Sequence, residues 1–493
     1  MSLSYKTPGV YIQELNAFPG SVVAVPTAIP VFIGYTEKAM RNGKSLKGLP
    51  IRIGSLNEYN GLFGAAYTHR FMLAPGTINP FDSSALNSPA LFYFYNCLRL
   101  FFQNGGSTCY ILSVGTYGTN GTEPAVTEIN PTDFSEEVFE VLAKESEPSI
   151  VVAPEIVSTC KTNPAACYEV YQRILKHCHD TQSRFAILDV NYEDAETDIL
   201  QFRQQTGNDC LNYGAAYYPW LNTAIVDASE INLNNFDCTP EQLCMQLPEP
   251  AVVSILEQWL PPADTDTPEE KETKKQYLHN SLMVASPVYL LLINEIKRRL
   301  NLLPPAAAIA GIYCLTDNAR GVWKAPANVS LAGVISPSVN ITSQQQEGMN
   351  TDAVSGKSVN AIRTFPGKGT LVWGGRTLDG NSGDWRYINV RRTIIMIEQS
   401  IRLACRAYIF EPNDANTWIN IKSMLENFLI NLWRQGALAG ATPEDAFAVQ
   451  IGLGVTMTAE DLLNGYLRVT ILVAISRPAE FIVLTFQQQQ QQS

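Results

Sequence analysis

Short, strongly apolar runs alternate with amphipathic stretches over roughly the first 310 residues. The runs lie at 31–35, 109–114, 150–153, 185–190 and 215–220, and the amphipathic stretches include 88–103, 132–144 and 164–178. Apolar runs separated by helical patterns are typical of strands that are buried on both faces and joined by helices. We therefore predict an α/β fold with a mainly parallel sheet in this part of the chain.

From about residue 311 the pattern changes to mixed α+β. One helix is predicted over roughly 389–407, and a second over roughly 415–435 has an unbroken apolar stripe at helical spacing. The members of that stripe are Trp418, Ile421, Leu425, Phe428 and Leu432. A shorter helix is predicted to begin at Thr442 and Pro443, and the charged segment 261–276 is predicted to be a solvated loop before a helix near 276–301.

Both ends of the chain have the pattern of extended arms. The Pro and Gly spacing in 1–25 excludes a helix and suits a strand that contains Val10, Tyr11 and Ile12. At the other end, 480–486 is apolar on both faces and includes Phe481, Ile482, Val483 and Leu484. Such a strand aggregates unless something covers it. Either both arms pair with strands of neighbouring copies, or they fold back onto their own domain.

The length of the chain sets its organisation. With 493 residues it exceeds one ordinary core, so several domains are expected. We divide it into an N-terminal arm and linker (1–25), an α/β segment that packs with the core (26–120), an outer α/β domain (121–310), a C-terminal core domain (311–465), and a C-terminal strand arm with a glutamine tail (466–493).

Charge and cysteine usage narrow the class of protein. The formal net charge of −12 argues against a nucleic-acid-binding surface, which needs clustered Lys and Arg. The ten cysteines form no recognisable framework, which favours buried free thiols and a reducing compartment. The N-terminus lacks a signal peptide pattern, and the apolar runs are too short to span a bilayer. We expect assembly in the cytoplasm and no membrane insertion.

The candidate chemical motifs are weak. Gly356, Lys357 and Ser358 resemble the end of a phosphate-binding loop, but the motif's first glycine is replaced by Thr351. His177 and His179 are two residues apart on a predicted helix, so they face different directions and are expected to be solvated. No Gly-x-Ser-x-Gly motif is present. We therefore predict no catalytic residues, no metal site and no cofactor.

Several segments together resemble the tail sheath protein family of contractile phages, pyocin-like particles and extracellular contractile injection systems. They lie at 5–14, 102–107, 303–313, 317–328, 363–376, 388–392, 410–413 and 478–481. They occur in the family's order, and the resemblance is weakest in 225–300.

The resemblance implies a structural subunit rather than an enzyme. It implies hexameric rings that stack into a sheath around an inner tube, contacts with baseplate and terminal cap proteins, and contraction without nucleotide hydrolysis. It also implies a subtilisin-like α/β middle domain and arm strands that pair with neighbouring subunits. The particle is then a phage tail or an extracellular or cell-bound device, and the sequence does not choose between these.

A charged helical surface of the C-terminal domain is our candidate contact with the inner tube. Its members are Arg391, Arg392, Glu398, Arg402, Glu444 and Asp445. The alternative is that these arginines pair with carboxylates of their own subunit. For the whole chain the alternative functions are an α/β hydrolase or nucleotide-binding enzyme and, with less support from the pattern, a capsid or tube component.

Overall fold

A computed structural model describes residues 22–73, 86–87, 92–118, 125–192 and 194–484. The chain divides into two compact units. The small unit consists of Met1–Val25 and Met396–Ser476, and the large unit of Pro26–Ile395 and Arg477–Ser493. The predicted arm strand with Val10, Tyr11 and Ile12 lies outside the described residues.

The strands are β1 Pro30–Thr36, β2 Met40–Arg41, β3 Lys44–Ser45, β4 Pro50–Ile53, β5 Met72–Leu73, β6 Leu86–Asn87, β7 Cys109–Thr116, β8 Ile150–Val152, β9 Phe185–Asp189, β10 Gly214–Tyr218, β11 Leu221–Thr223, β12 Leu302–Leu303, β13 Val329–Ser330, β14 Val334–Pro337, β15 Val359–Phe365, β16 Gly369–Val372, β17 Phe447–Ile451 and β18 Val469–Val473. The α-helices are α1 Leu56–Phe63, α2 Phe94–Gln103, α3 Glu136–Ala143, α4 Pro164–Thr181, α5 Ala195–Gln205, α6 Pro240–Gln246, α7 Pro250–Gln258, α8 Pro268–Ala285, α9 Pro287–Leu300, α10 Ala306–Arg320, α11 Ser343–Asn350, α12 Ile388–Cys405, α13 Ala415–Arg434, α14 Pro443–Ala446 and α15 Ala459–Leu463.

The large unit is built on a nine-stranded sheet in the order β13-β16-β15-β10-β9-β8-β1-β7-β4. The central strands from β15 to β7 are parallel, and the outer strands at both edges are antiparallel. The five apolar runs of the sequence form β1, β7, β8, β9 and β10, and every residue of these strands is buried. The mainly parallel α/β fold is confirmed, because strands covered on both faces have no polar side to display.

The sheet extends across the segments into which we divided the sequence. β15 pairs in parallel with β10 and follows it by more than one hundred residues, so strands from 26–120, 121–310 and 311–465 share one core. The apolar pattern of β15 is short and its last residues are partly exposed. This explains why periodicity alone did not place β15 in the sheet.

Helices α6 to α9 surround a second apolar core within the large unit. Leu278 and Leu282 on α8 pack there with Tyr289 and Ile293 on α9. The prediction of a solvated loop over 261–276 is wrong from Pro268 onward, because α8 begins there. The Thr267 side chain accepts a hydrogen bond from the Glu270 amide, and Glu270 bonds back to Thr267. This capping box starts a helix whose first turns are charged.

In the small unit, α13 packs against β17. Ile421, Leu425, Phe428 and Leu432 are buried, which confirms the predicted stripe, and Trp418 is partly buried. The predicted short helix is α14, with Thr442 in a capping box at its start.

The cysteines differ in part from the prediction of free thiols. Cys160 and Cys167 form a disulfide, with their Cα atoms 5.1 Å apart, whereas the other eight cysteines are free. A 3-10 turn at Ile156–Cys160 followed at once by α4 brings the pair together, which spacing alone did not reveal. Among the described residues, no helix combines the length and apolarity that a membrane span requires.

Candidate inter-subunit arm sites

The C-terminal segment returns to the large unit at Arg477 and is anchored there by Glu480. The Arg376 guanidinium binds the Glu480 carboxylate in a fork, with Nε to Oε1 at 3.0 Å and Nη2 to Oε2 at 2.7 Å. Asn350 Nδ2 donates to Oε1 at 2.8 Å, and the Tyr387 hydroxyl donates to Oε2 at 3.2 Å. Burial disfavours the Glu480 charge, but these donors outweigh it and lower the pKa of Glu480.

Beyond this anchor the chain is exposed. Phe481, Ile482, Val483 and Leu484 are between 72% and 87% exposed, and they form no strand with any part of the described chain. Consecutive exposed apolar residues of this size are rare on a soluble monomer and mark a surface that another molecule covers. Within the described residues, the predicted arm segment is not covered by other parts of the chain.

The small unit carries a two-stranded sheet with open edges. β17 and β18 are antiparallel, with Val449 opposite Ile471, and neither pairs with another strand among the described residues. The Ala474 amide donates to the Ala446 carbonyl at 2.8 Å, which sets the alternation of the ladder. With this alternation, the amides of Val469, Ile471 and Val473 point away from β17. A strand could add to this edge.

The described chain begins just before the point where the N-terminal arm joins the large unit. The Thr27 hydroxyl donates to Asp317 Oδ2 at 2.6 Å. The Thr27 carbonyl accepts from Arg392 Nη2 at 3.0 Å and from the Ser149 hydroxyl at 2.5 Å. Three residues later β1 begins, so the chain is fixed to the body of the large unit from Thr27 onward.

Two of the predicted tube-facing residues are buried. Arg392 forms a forked pair with Asp317, at 2.9 Å and 2.6 Å, and lies 4.6 Å above the Tyr313 ring. Arg391 stacks on Tyr213 and bonds to its hydroxyl. Arg392 therefore pairs with a carboxylate of its own subunit, which was the alternative stated for it. Arg391 is also buried, but the hydrogen bond described above goes to a tyrosine hydroxyl rather than to a carboxylate.

The remaining tube-facing candidates lie on the surface of the small unit. Glu398 and Arg402 are exposed on α12, and Glu444 is exposed on α14. Asp445 is also exposed, but it accepts hydrogen bonds from the Thr442 amide and hydroxyl and so caps α14. Glu398, Arg402, Glu444 and Asp445 stay predictions as contacts of an inner tube.

The weak chemical motifs have structural roles. The Lys357 ammonium is buried and donates to the Arg203 carbonyl, so it does not face a phosphate site. His179 is exposed, but His177 is buried beside Arg184, so the prediction that both are solvated is wrong for His177. Burial lowers the pKa of His177 to about 4. Among the described residues, no cluster of His, Cys, Asp and Glu is arranged to hold a metal ion.

Sequence reasoning did not identify the ion pairs of Asp317 with Arg392 and of Arg376 with Glu480. Arg376 and Glu480 are 104 positions apart, and Asp317 and Arg392 are 75 apart. All four residues lie within the segments that carry the family resemblance, which was the one signal available.

Parts of this chain match a known protein family and a curated relative. Residues 381–489 match the family described as phage tail sheath C-terminal domain. The tail sheath protein of Vibrio phage KVP40 is 27% identical over 135 residues, which are 27% of this chain. The matched part spans only 20% of the phage protein's length.

Solved structures match over nearly the full length. The sheath of the PVC extracellular contractile injection system, in its contracted state, is 27% identical with a TM-score of 0.62, covering 99% of both chains. A chain of the anti-feeding prophage baseplate, a 6-fold symmetrised structure, is 29% identical with a TM-score of 0.61, covering 99% of this chain and 100% of that one.

Proposed function

This chain belongs to the contractile tail sheath protein family, and from that premise we propose that it polymerises as hexameric rings around an inner tube and drives the tube forward by contracting. Its relatives are structural sheath subunits of contractile injection systems. Both the sheath in the contracted state and the 6-fold baseplate among the similar structures support assembly in rings and association with a baseplate.

The observation that carries the proposal is the exposed apolar segment after Glu480. Fully burying one such side chain contributes about 1.5–3 kcal/mol, so four contribute about 6–12 kcal/mol. Fixing the backbone of four residues costs about 4–8 kcal/mol. Ladder hydrogen bonds of about 0.5–1.5 kcal/mol each then make strand addition favourable. The free energy gained by adding one such strand is modest, but every subunit of a sheath makes the same contact.

The open edge of β18 is the proposed acceptor. A two-stranded sheet is marginal alone, and here α13 and α14 pack against β17. Added strands from the arms of neighbouring subunits would extend the ladder and cover Phe481, Ile482, Val483 and Leu484. Such ladders persist while the chain beside them changes direction, which is what contraction between two packings requires.

Other parts of the proposal rest on the family resemblance. These are a subtilisin-like fold in the large unit and terminal cap proteins as partners. Two more parts rest on the sequence itself: cytoplasmic assembly, and weak contacts of Glu398, Arg402, Glu444 and Asp445 with the tube. Exposed charge pairs contribute about 0–1 kcal/mol each, which suits a sheath that must release its tube. An enzymatic function has no such support, since the relatives are structural proteins.

The proposal is tested by deleting residues 481–493, with deletion of 487–493 as the matched control. The control keeps the apolar segment and removes the glutamine tract. Both variants are co-expressed with the inner tube and baseplate proteins, and sheath length is measured by electron microscopy. We expect folded subunits without long sheaths from the first variant and normal sheaths from the second. Full-length sheaths from the first variant would refute strand exchange through this arm.

A further inference from the structure

Each arm is attached to the large unit by the same kind of contact, a forked ion pair. At the N-terminal root, Asp317 and Arg392 form a forked ion pair that holds Thr27. At the C-terminal root, Arg376 and Glu480 form a second fork. Forked pairs of guanidinium and carboxylate fix direction as well as distance, because two parallel hydrogen bonds define a plane.

The N-terminal contact is shielded from water, and the C-terminal contact is shielded on its Arg376 side, whereas the Glu480 side chain is 22% exposed. The side chains of Asp317 and Arg392 are 2% and 3% exposed, and that of Arg376 is 5% exposed. Surface ion pairs are screened and contribute little, whereas a shielded fork holds its partner in one geometry. These two pairs therefore differ from the exposed pairs of the same chain, such as Arg52 with Glu147.

The C-terminal pair connects directly to the central sheet. The Arg376 amide donates to Asn360 Oδ1 at 2.9 Å, and Asn360 Nδ2 donates to the Arg376 carbonyl at 2.8 Å. Asn360 lies on β15 and also donates to the Ala216 carbonyl on β10 at 3.1 Å. A continuous set of hydrogen bonds thus runs from the tail carboxylate to two neighbouring strands.

The N-terminal pair connects to the same sheet. The Thr27 carbonyl accepts from the Ser149 hydroxyl, and the Ser149 amide donates to the Ile29 carbonyl at 2.8 Å. Ser149 directly precedes β8, and Ile29 directly precedes β1. The N-terminal root is therefore tied to two helices through the ion pair and to two strands through Ser149.

We propose that the Asp317–Arg392 and Arg376–Glu480 pairs are root clamps, which fix both arms to the sheet of the large unit so that arm movement takes place only before Thr27 and after Glu480. This inference rests on the proposed strand exchange. When a neighbour pulls on an arm strand, the clamps pass the force to the sheet instead of peeling the arm away. Arg376, Glu480, Asp317 and Arg392 act as positioning residues, since the arm strands themselves make the contact with the neighbour.

The test uses Arg376→Gln, which leaves the sequence of the tail unchanged. The matched control is Arg99→Gln, because Arg99 forms a similar fork with Glu230, at 2.7 Å and 3.0 Å, away from both arms. The first readout is the rate at which chymotrypsin cleaves the soluble subunit after Phe481. Proteases need an extended, freely moving segment, so we expect cleavage about tenfold faster in Arg376→Gln and unchanged in Arg99→Gln.

The second readout is made on assembled particles. Sheaths of Arg376→Gln subunits keep both arm strands, so they should form. After a contraction stimulus, the fraction of intact contracted sheaths should fall severalfold relative to Arg99→Gln. Unchanged cleavage, or faster cleavage with normal contraction, would each overturn the clamp. Neither result depends on the deletion of 481–493, so failure of the clamp is distinguishable from failure of strand exchange.

The N-terminal clamp needs a mild variant, since loss of a buried charge can prevent folding. Thr27→Val removes the hydroxyl that Asp317 holds and leaves the ion pair itself in place. We expect Thr27→Val sheaths to assemble and to yield fewer intact contracted sheaths than wild type. Contraction at the wild-type yield would remove Thr27 and its ion pair from the proposal.

Discussion

Substitution of Asp317 by asparagine tests whether the ion pair at the N-terminal root is as shielded as its contacts indicate. Asp317 faces Arg392 through two hydrogen bonds of 2.9 Å and 2.6 Å, with both side chains at most 3% exposed. Asparagine keeps the shape of the side chain but leaves the Arg392 charge uncompensated. Breaking a buried pair in this way costs about 3–5 kcal/mol. That is a large part of the roughly 5–15 kcal/mol that stabilises a typical protein.

The assay is urea denaturation of the soluble chain, followed by the transition of the unit that contains the sheet. We expect its midpoint to fall in Asp317→Asn, by the amount that corresponds to about 3–5 kcal/mol. The control is Arg52→Gln, which breaks an exposed pair with Glu147 at 3.2 Å and should cost less than about 1 kcal/mol. Equal, small shifts in the two variants would show that water reaches Arg392 and would refute the shielding on which the clamp depends.

Three further predictions concern the edge of β18, the N-terminal linker, whose first 21 residues lie outside the described chain, and a buried carboxyl group. Ile471→Pro removes an amide that points to the open edge of β18, so the subunit should fold while long sheaths fail to form in electron micrographs; normal sheaths would exclude this edge as the acceptor. Insertion of a few flexible residues after Asn16 should leave assembly intact but keep sheaths extended after a stimulus, and normal contraction of the insertion variant would show that the linker carries no tension. Burial raises the pKa of Glu155 to about 8, although hydrogen bonds from the amides of Tyr35 and Phe94 act in the opposite direction. The folded state therefore retains a proton that the unfolded state loses, so the free energy of unfolding should fall as pH rises from about 4.5 to about 8. The loss should reach at most about 5 kcal/mol and be absent in Glu155→Gln; equal pH slopes for the two proteins in urea titrations would contradict it.

The sequence pattern predicted the parallel sheet because strands such as β1 and β9 are apolar throughout, and this signal needs no knowledge of distant partners. It also predicted α13 from its stripe. It assigned the charged first turns of α8 to a loop. The start of this helix is indicated by the capping box at Thr267 and not by an apolar face.

The positions of charged residues were harder to predict than those of apolar residues. Arg391 and Arg392 were predicted to lie on a charged helical surface, with pairing inside their own subunit as the alternative, and the structure buries both. Their partners are distant in sequence: Asp317 is 75 positions from Arg392, and Tyr213 is 178 positions from Arg391. Periodicity contains no information at that range, so burial of the two arginines became visible only in the folded chain.

The central claim concerns what covers the exposed residues after Glu480. A reconstruction of the assembled sheath, at a resolution that traces the main chain, would test it most directly. We predict that Phe481, Ile482, Val483 and Leu484 of one subunit lie as a strand along β18 of a neighbour, with Glu480 still on Arg376 of its own subunit. A sheath in which this segment is folded onto its own subunit, or remains exposed to solvent, would contradict the account.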